Sequence, residues 1–183
     1  MKAFIFAAGK GTRLKPFTDK HPKALAKVNN ITLLERNIRF LQSFGINDFI
    51  INIHHFGEQI VDFLKENNNF GAKIEISDES EELLETGGAL VFAKKLLEQE
   101  GHFLIMNADI LTNLNISDFI NFHLKSNNLV TLAVSDRKSS RKLLFDSAMT
   151  LQGWRNEKTG EEIFGNTYKN LKPLAFSGIH CIN

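Results

Sequence analysis

Two glycines follow the first apolar run of the chain, within Ala7-Ala8-Gly9-Lys10-Gly11-Thr12-Arg13-Leu14. Glycine lets backbone N–H groups approach an anion closely, and Arg13 adds a planar cation that suits a phosphate. A dinucleotide-binding G-x-G-x-x-G motif would need glycine at Leu14, and a Walker motif would need lysine directly after Gly11. The loop therefore indicates phosphate binding outside those two motifs, with a turn that merely joins a strand to a helix as the alternative.

A second group that could do chemistry is Asn107-Ala108-Asp109, which follows the apolar run 103–106. Asp109 is expected at the carboxyl end of a central parallel strand, where ligands of open α/β sheets bind. A carboxylate there can hold Mg²⁺ against phosphates, and Asn107 can bind a sugar hydroxyl or an amide. The alternative for Asp109 is a helix N-cap. Lys23, taken alone, is a solvated loop lysine.

The elements that would position these residues follow from the hydrophobic pattern. Short apolar runs alternate with segments whose apolar residues recur every three or four positions, which predicts a parallel sheet flanked by helices. The predicted strands are 2–7, 48–53, 73–77, 102–107, 129–134, 143–145, 149–152 and 174–182, with a turn at 156–160. Helices are predicted around 31–41, 56–64 and 90–97, and a fourth from the N-cap Ser117, with Phe119, Phe122 and His123 facing inward or nearby.

Composition narrows the class of protein. The chain has 183 residues, and its 22 Lys and Arg nearly balance 21 Asp and Glu. This balance, without a long run of one sign, argues against nucleic-acid binding. No apolar stretch approaches the roughly 20 residues that span a bilayer, so we expect no membrane partner and a cytoplasmic location. Cys181 is the single cysteine, which excludes an intrachain disulfide.

Several motifs together resemble those of the sugar-phosphate nucleotidyltransferases. The glycine loop is similar to the family signature A-A-G-x-G-[TS]-R-[LM], and Pro22-Lys23-Ala24-Leu25 falls at its P-K-x-L motif. Three further segments resemble the family's base-binding element, its N-x-D metal motif and the strand beside the acceptor sugar: Glu85-Thr86-Gly87-Gly88-Ala89, Asn107-Ala108-Asp109 and Phe176-Ser177-Gly178-Ile179. The five motifs occur in the family's order and cover nearly the whole chain.

The resemblance implies a three-layer α/β/α, Rossmann-like nucleotide-diphospho-sugar transferase fold with a mixed, mostly parallel sheet, in a single domain of residues 1–183. It also implies a reaction in which a sugar 1-phosphate attacks the α-phosphorus of a nucleoside triphosphate and pyrophosphate leaves. The implied catalytic residues are Arg13, Lys23 and Asp109, with Asp109 as the Mg²⁺ ligand. The implied nucleotide-binding residues are Ala8, Gly9, Lys10, Gly11, Thr12, Arg13, Lys23, Glu85, Thr86 and Gly87, and the sugar-binding residues are Asn107, Ser177 and Gly178.

One stretch indicates the branch of the family. Asn52-Ile53-His54-His55-Phe56 resembles an N-x-H-H-[LF] element, and with the Glu-Thr-Gly-Gly form it looks most like the N-acetylmuramate 1-phosphate uridylyltransferases of cell-wall recycling. Mannose 1-phosphate guanylyltransferases are the alternative. Adjacent histidines on a strand point to opposite faces, so His54 and His55 are not expected to chelate one metal ion.

The family's closing W-x-D-[IV]-G-T segment, with a second metal-binding Asp, has no counterpart here. We therefore expect either a C-terminal truncation or a partner that supplies the missing side. We also expect slow turnover of the 183-residue chain, and self-association through an uncovered strand containing Phe176, Ile179, Cys181 and Ile182. Two other classes remain open. One is a nucleotide- or sugar-phosphate-binding module without catalysis, and the other is a dinucleotide-dependent oxidoreductase, which Leu14 argues against.

Overall fold

The apolar runs form strands, and the segments with helical spacing form helices, in the computed structural model, which describes residues 1–81, 83–98, 100–165 and 170–183. The elements in chain order are β1 (Lys2–Phe6), β2 (Lys27–Val28), β3 (Ile31–Thr32), α1 (Leu33–Gln42), β4 (Asp48–Ile53), α2 (Gly57–Glu66), β5 (Lys73–Asp78), α3 (Glu85–Phe92), α4 (Lys94–Leu97), β6 (Phe103–Asn107), α5 (Ile116–Ser126), β7 (Val130–Ser135), β8 (Arg141–Phe145), β9 (Leu151–Asn156), β10 (Glu162–Phe164) and β11 (Lys172–Ile182). The chain divides into two compact units, Met1–Thr131 with His180–Asn183, and Leu132–Ile179. The expected single domain stays a prediction.

The first unit contains a parallel sheet in the order β5-β4-β1-β6. Phe4 at its centre pairs with Ile50 of β4 on one side and Ile105 of β6 on the other. All three are fully buried and form one core cluster with Ala93 and Leu97. Burial on both faces explains why β1, β4 and β6 are nearly continuous apolar runs, whereas the edge strand β5 alternates apolar and polar residues.

Helix α1 of the first unit is defined by an N-cap residue and by a stripe of apolar residues. The Thr32 hydroxyl accepts a hydrogen bond from the Glu35 N–H at 3.1 Å, which caps the helix. Leu34, Ile38 and Leu41 recur at helical spacing and are fully buried. In the part of the chain that the structure describes, no helix is both long and apolar enough to cross a membrane.

The predictions for two helical segments need correction. The stripe 90–97 predicts one helix, but the structure has α3 and α4, which are separate at Ala93. The N-cap of α5 is Asn115, whose side chain accepts from the Asp118 N–H at 3.1 Å, so the prediction of Ser117 was wrong by two positions. Asn115 is the cap because Ile116, which is fully buried, is the first residue of the helix. Phe122, expected inward or nearby, is 60% exposed.

The second unit is built from antiparallel strands. β9 pairs with β8 on one side and with β10 on the other, and the first residues of β11 pair with β8. Strand β10 was not predicted because its residues are exposed and lack an apolar run. Gly153 of β9 faces β10 closely: a Cβ there would lie 2.6 Å from the Ile163 carbonyl oxygen. Parallel and antiparallel strands together confirm the predicted α/β class with a mixed sheet.

The C-terminal strand β11 is largely covered, whereas the sequence predicts an uncovered strand. Ile179 and Cys181 are fully buried, and Ile182 packs against the core cluster of Phe4 and Ile105. The predicted reason for self-association is therefore wrong for these residues. Burial raises the pKa of the Cys181 thiol to about 12, so this cysteine is an apolar core residue and not a nucleophile.

Burial of His180 predicts a loss of stability in mild acid. Desolvation lowers its pKa from 6.5 to about 4, so the unfolded chain takes up a proton at a higher pH than the folded chain does. The free energy of unfolding should therefore fall as the pH drops from about 6.5 toward 4, by about 3 kcal/mol over that window. Urea unfolding between pH 7.5 and 4.5 measures this. His180→Gln should flatten the slope, whereas His21→Gln, at an exposed position, should leave it unchanged; equal slopes in all three proteins would contradict the prediction.

Candidate active site

A cavity of about 400 Å³ opens at the carboxyl ends of the parallel strands of the first unit. We call it the main cavity. Its walls come from the ends of β1, β4 and β6, the segments after β5, and the start of α3, which is where open α/β sheets bind ligands. Its lining residues are Phe6, Ala7, Ala8, Gly9, Lys23, Ala24, Asn52, Glu79, Leu83, Glu85, Thr86, Asn107, Ala108 and Asp109.

A second cavity, the side cleft, has a volume of about 470 Å³ and lies along the glycine loop. Arg13 and Thr12, both exposed and both in a short 3₁₀ turn, line this cleft and not the main cavity. Lys10 is exposed and lines neither cavity. The lining residues of the side cleft are Gly9, Gly11, Thr12, Arg13, Leu14, Lys23 and Asp109.

The two loop glycines serve different purposes. Gly11 has φ +60°, and its carbonyl oxygen accepts hydrogen bonds from the Leu14 N–H at 2.8 Å and the Thr18 hydroxyl at 3.0 Å. A Cβ at Gly11 would lie 2.9 Å from carbons of both Lys23 and Thr18, so the fold itself demands glycine there. At Gly9 a Cβ would meet no protein atom within 4 Å. The open space at Gly9 faces both cavities, which leaves the backbone accessible to a ligand.

Lys23 and Asp109 form an ion pair through Nζ and Oδ2. Lys23 begins a 3₁₀ turn after Pro22, while Asp109 lies just beyond β6, so the pair joins segments 86 residues apart in sequence. The side chains are 28% and 32% exposed, which keeps both charges accessible from solvent. The structure thus brings two of the three predicted catalytic residues into contact, and places Arg13 in the adjoining side cleft.

The segment that carries Asp109 is held in place by buried hydrogen bonds. The Ala108 N–H donates to the Phe6 carbonyl oxygen at 3.0 Å, and the Asn37 side chain of α1 donates to the Ala108 carbonyl oxygen at 2.8 Å. Asn107 is half-buried and lines the main cavity. Asn37 is 2% exposed and therefore fixes the position of this segment from behind the cavity.

Asn52 and Glu79 form a buried polar link in the main cavity, a contact that the sequence does not predict. The Asn52 side chain accepts from the Ala7 N–H at 2.7 Å and donates to the Glu79 carboxylate at 2.8 Å. Glu79 is 3% exposed, and its second oxygen accepts from the Leu84 N–H at 3.4 Å. The link connects the start of the glycine loop to the segment that leads into α3. The signal that could have indicated it is a polar residue at the end of an apolar strand, which Asn52 is.

The remaining predicted site residues are distributed as follows. Glu85, at φ 55°, and Thr86 begin α3 and line the main cavity, whereas Gly87 follows them and does not line it. Ser177 and Gly178 belong to the second unit, and their predicted contact with a sugar stays a prediction. The His55 ring stacks on Phe56 with centroids 4.0 Å apart. Among the described residues, no three His, Cys, Asp or Glu side chains come together as a metal cluster.

The sequence of the chain matches the family described as nucleotidyl transferase over residues 2–143. The chain belongs to this family. It is 32% identical over 137 residues to the mannose-1-phosphate guanyltransferase of Gibberella zeae, a match that covers 74% of this chain and 37% of that protein. It is 37% identical over 117 residues to the N-acetylmuramate alpha-1-phosphate uridylyltransferase of Neisseria meningitidis, covering 64% of this chain and 50% of that protein.

Structural comparison agrees on the fold. The crystal structure of HddC from Yersinia pseudotuberculosis complexed with GMP-PN superimposes with a TM-score of 0.78 at 22% sequence identity, covering 99% of this chain and 76% of that one. The fold class predicted from the sequence is therefore confirmed, and the predicted family is confirmed by the match to the nucleotidyl transferase family. The matches span about a third to a half of the length of these two curated relatives.

Proposed function

We propose that the site transfers a nucleoside monophosphate from a nucleoside triphosphate to a sugar 1-phosphate and releases pyrophosphate. The observation that carries this proposal is the convergence of an open glycine backbone, a lysine and a carboxylate at the carboxyl end of the parallel sheet. Phosphoryl-type transfer requires mainly positioning and neutralisation of charge, and these groups supply both.

Each side chain has a proposed role in this reaction. The backbone at Ala8 and Gly9 faces the phosphates, with Lys10, Gly11 and Thr12 continuing the loop. Arg13, in the side cleft, binds the departing phosphates with a planar, charge-assisted contact. Lys23 meets the α-phosphate or the incoming sugar phosphate. Glu85 and Thr86, which line the main cavity just before Gly87, bind the base, and Asn107 in the same cavity binds the sugar.

Asp109 fits a proposed Mg²⁺ ligand. Its carboxylate reaches both cavities and is accessible from solvent. Mg²⁺ commonly uses one or two carboxylates together with substrate phosphates and water, so a single carboxylate such as Asp109 can serve as its protein ligand. When bound, the ion would neutralise phosphate charge and favour the leaving pyrophosphate. Asp109, just beyond the end of β6, would fix the position of the ion.

For the substrates, we propose UTP and N-acetylmuramate 1-phosphate, in the cytoplasm and in cell-wall recycling. The support is the Asn52–Phe56 element and the similarity to the Neisseria meningitidis uridylyltransferase. The second candidate is GTP with mannose 1-phosphate, which the similarity to the Gibberella zeae guanyltransferase favours.

Calorimetric titration with UTP, GTP, dTTP and ATP in the presence of Mg²⁺ tests the proposal. Binding of UTP should be tightest, and pyrophosphate release should be faster with N-acetylmuramate 1-phosphate than with mannose 1-phosphate. The reverse order of both would select the second candidate. No heat with any of the four nucleotides would overturn the proposed function.

Arg13→Ala should weaken nucleoside triphosphate binding by about 1.5–3 kcal/mol, because it removes charge-assisted hydrogen bonds to phosphate. The same titration measures the loss. Lys15→Ala is the matched control, since Lys15 lies in the same loop but pairs with Asp19 and lines neither cavity. Equal losses of affinity in the two variants would mean that Arg13 contributes only to the positive electrostatic potential of the loop and makes no specific contact with the phosphates.

A further inference from the structure

The Lys23–Asp109 ion pair lies where the two cavities meet. Three residues line both the main cavity and the side cleft, namely Gly9, Lys23 and Asp109. Thr86, at the proposed base end, lines the main cavity alone, and Arg13, at the proposed phosphate end, lines the side cleft alone. An extended ligand that contacts both Thr86 and Arg13 therefore has to pass the Lys23–Asp109 ion pair.

The ion pair is built so that one end of Lys23 is fixed and the other can move. The aliphatic stem lies close against the backbone of Gly11, since a Cβ built there would be 2.9 Å from Lys23 Cβ and 3.3 Å from Lys23 Cδ. The charged groups are about one third exposed, and ion pairs this accessible to water are weak. The ammonium can therefore leave Asp109 without disturbing the loop that carries it.

We propose that Lys23 occupies the metal-binding carboxylate in the ligand-free protein and releases it only when the phosphates of a nucleotide arrive. This inference rests on the proposed function and concerns the order in which its parts assemble. The phosphates attract the Lys23 ammonium, and the vacated Asp109 becomes available to a divalent cation. Nucleotide and metal ion then bind cooperatively, and each raises the affinity of the other by the same factor. The metal ion alone binds weakly.

Binding of Mn²⁺ to the nucleotide-free protein provides the first test, with free Mn²⁺ counted by electron paramagnetic resonance. Lys23→Gln should bind Mn²⁺ about tenfold more tightly than the unaltered protein, since a neighbouring cation disfavours a second cation at a carboxylate on that scale. The gain should disappear in the double variant Lys23→Gln/Asp109→Asn. Lys20→Gln, which removes the same charge from an exposed position, should bind Mn²⁺ as the unaltered protein does.

An Mn²⁺ affinity of Lys23→Gln within twofold of the unaltered protein would overturn the inference. So would a gain that survives Asp109→Asn, and so would the absence of any Mn²⁺ binding by Lys23→Gln. Thermal melting of each variant confirms that the compared proteins are folded.

Replacement of Asp109, the other member of the ion pair, gives a second test with a different readout, the binding of nucleotide without metal. Asp109→Asn frees the ammonium, so it should bind UTP or GTP without metal at least about threefold more tightly than the unaltered protein. Simple removal of a negative charge near the phosphates would give the same gain when Lys23 is also replaced by Gln. The inference requires that Asp109→Asn raise nucleotide affinity less in the Lys23→Gln protein than in the unaltered protein. An equal gain in both proteins, or no gain in either, would overturn it.

The two proposals fail in different ways. If the unaltered protein binds no nucleotide in the presence of Mg²⁺, the proposed function is wrong. If it does bind a nucleotide, but Lys23→Gln and the unaltered protein bind Mn²⁺ equally without one, the function stands and the role of Lys23 is wrong.

Discussion

Asp109→Asn is expected to lower the rate of nucleotidyl transfer at least about a hundredfold, because a metal-held charge at a phosphoryl oxygen is worth several kcal/mol. Asparagine keeps the shape of the side chain and loses its charge. The free energy of unfolding should change by no more than about 1 kcal/mol, since the change breaks one partly exposed ion pair. Asp109 does not cap α5, the next helix that the structure describes, which begins at Ile116 with Asn115 as its cap. Pyrophosphate release and urea unfolding measure the two quantities.

The control for this variant is Asp62→Asn, which removes the same charge at an exposed position within α2. It should leave transfer unchanged. A different pattern would contradict the proposed role of Asp109: if the Asp109→Asn protein unfolds easily, yet transfers at the full rate per folded molecule, the carboxylate is structural. Binding of Mn²⁺ in the presence of UTP is a second readout, and Asp109→Asn should abolish it.

Gly9→Ala and Gly11→Ala should fail in opposite ways, although the two glycines are separated by one residue. A Cβ at Gly9 meets no protein atom within 4 Å and projects into space that a ligand would occupy. Gly9→Ala should therefore fold normally. It should bind nucleoside triphosphate about 10- to 100-fold more weakly, because the added methyl group would overpack against the ligand at a cost of about 1–3 kcal/mol. Gly11→Ala should lose about 2–4 kcal/mol of folding stability, from its positive φ and from contacts at 2.9 Å.

Urea unfolding and calorimetric titration of both variants measure these effects, and each variant is the control for the other. Loss of stability in Gly9→Ala, with nucleotide binding intact, would mean that the glycine loop only joins a strand to a turn. A fully stable Gly11→Ala would show that Lys23 and Thr18 move aside easily, which would also weaken the case for a fixed Lys23 stem.

The parts of the fold that the sequence predicts best are those set by local pattern. The predicted strand 48–53 coincides with β4, because all six residues pair with β5 and four of them also pair with β1 in a parallel sheet. The glycine loop and Asp109 are also where the sequence places them, because a motif is a local arrangement. The exposed strand β10 was not predicted. The N-cap of α5 was misplaced because several polar residues near the start of this helix could each serve as the cap.

The part of the site that the sequence did not predict depends on contacts between distant segments. Glu79 lies among several acidic residues at 78–82, and nothing in their spacing indicates that its carboxylate is buried. Only the folded chain shows that Asn52, 27 residues earlier, donates a hydrogen bond that makes its burial possible. The Lys23–Asp109 ion pair, which spans 86 residues, is also invisible to any rule based on spacing.

The buried link from Ala7 through Asn52 to Glu79 has a consequence for the way a ligand enters. These groups are already hydrogen-bonded to one another, so their side-chain entropy is lost when the chain folds and not when a ligand arrives. The inner end of the main cavity is thus preorganised, and we expect rigid docking of a base there. The phosphate end, where an ion pair has to open, is where induced fit would occur. A ligand would enter by its base first, and its phosphates would settle afterwards.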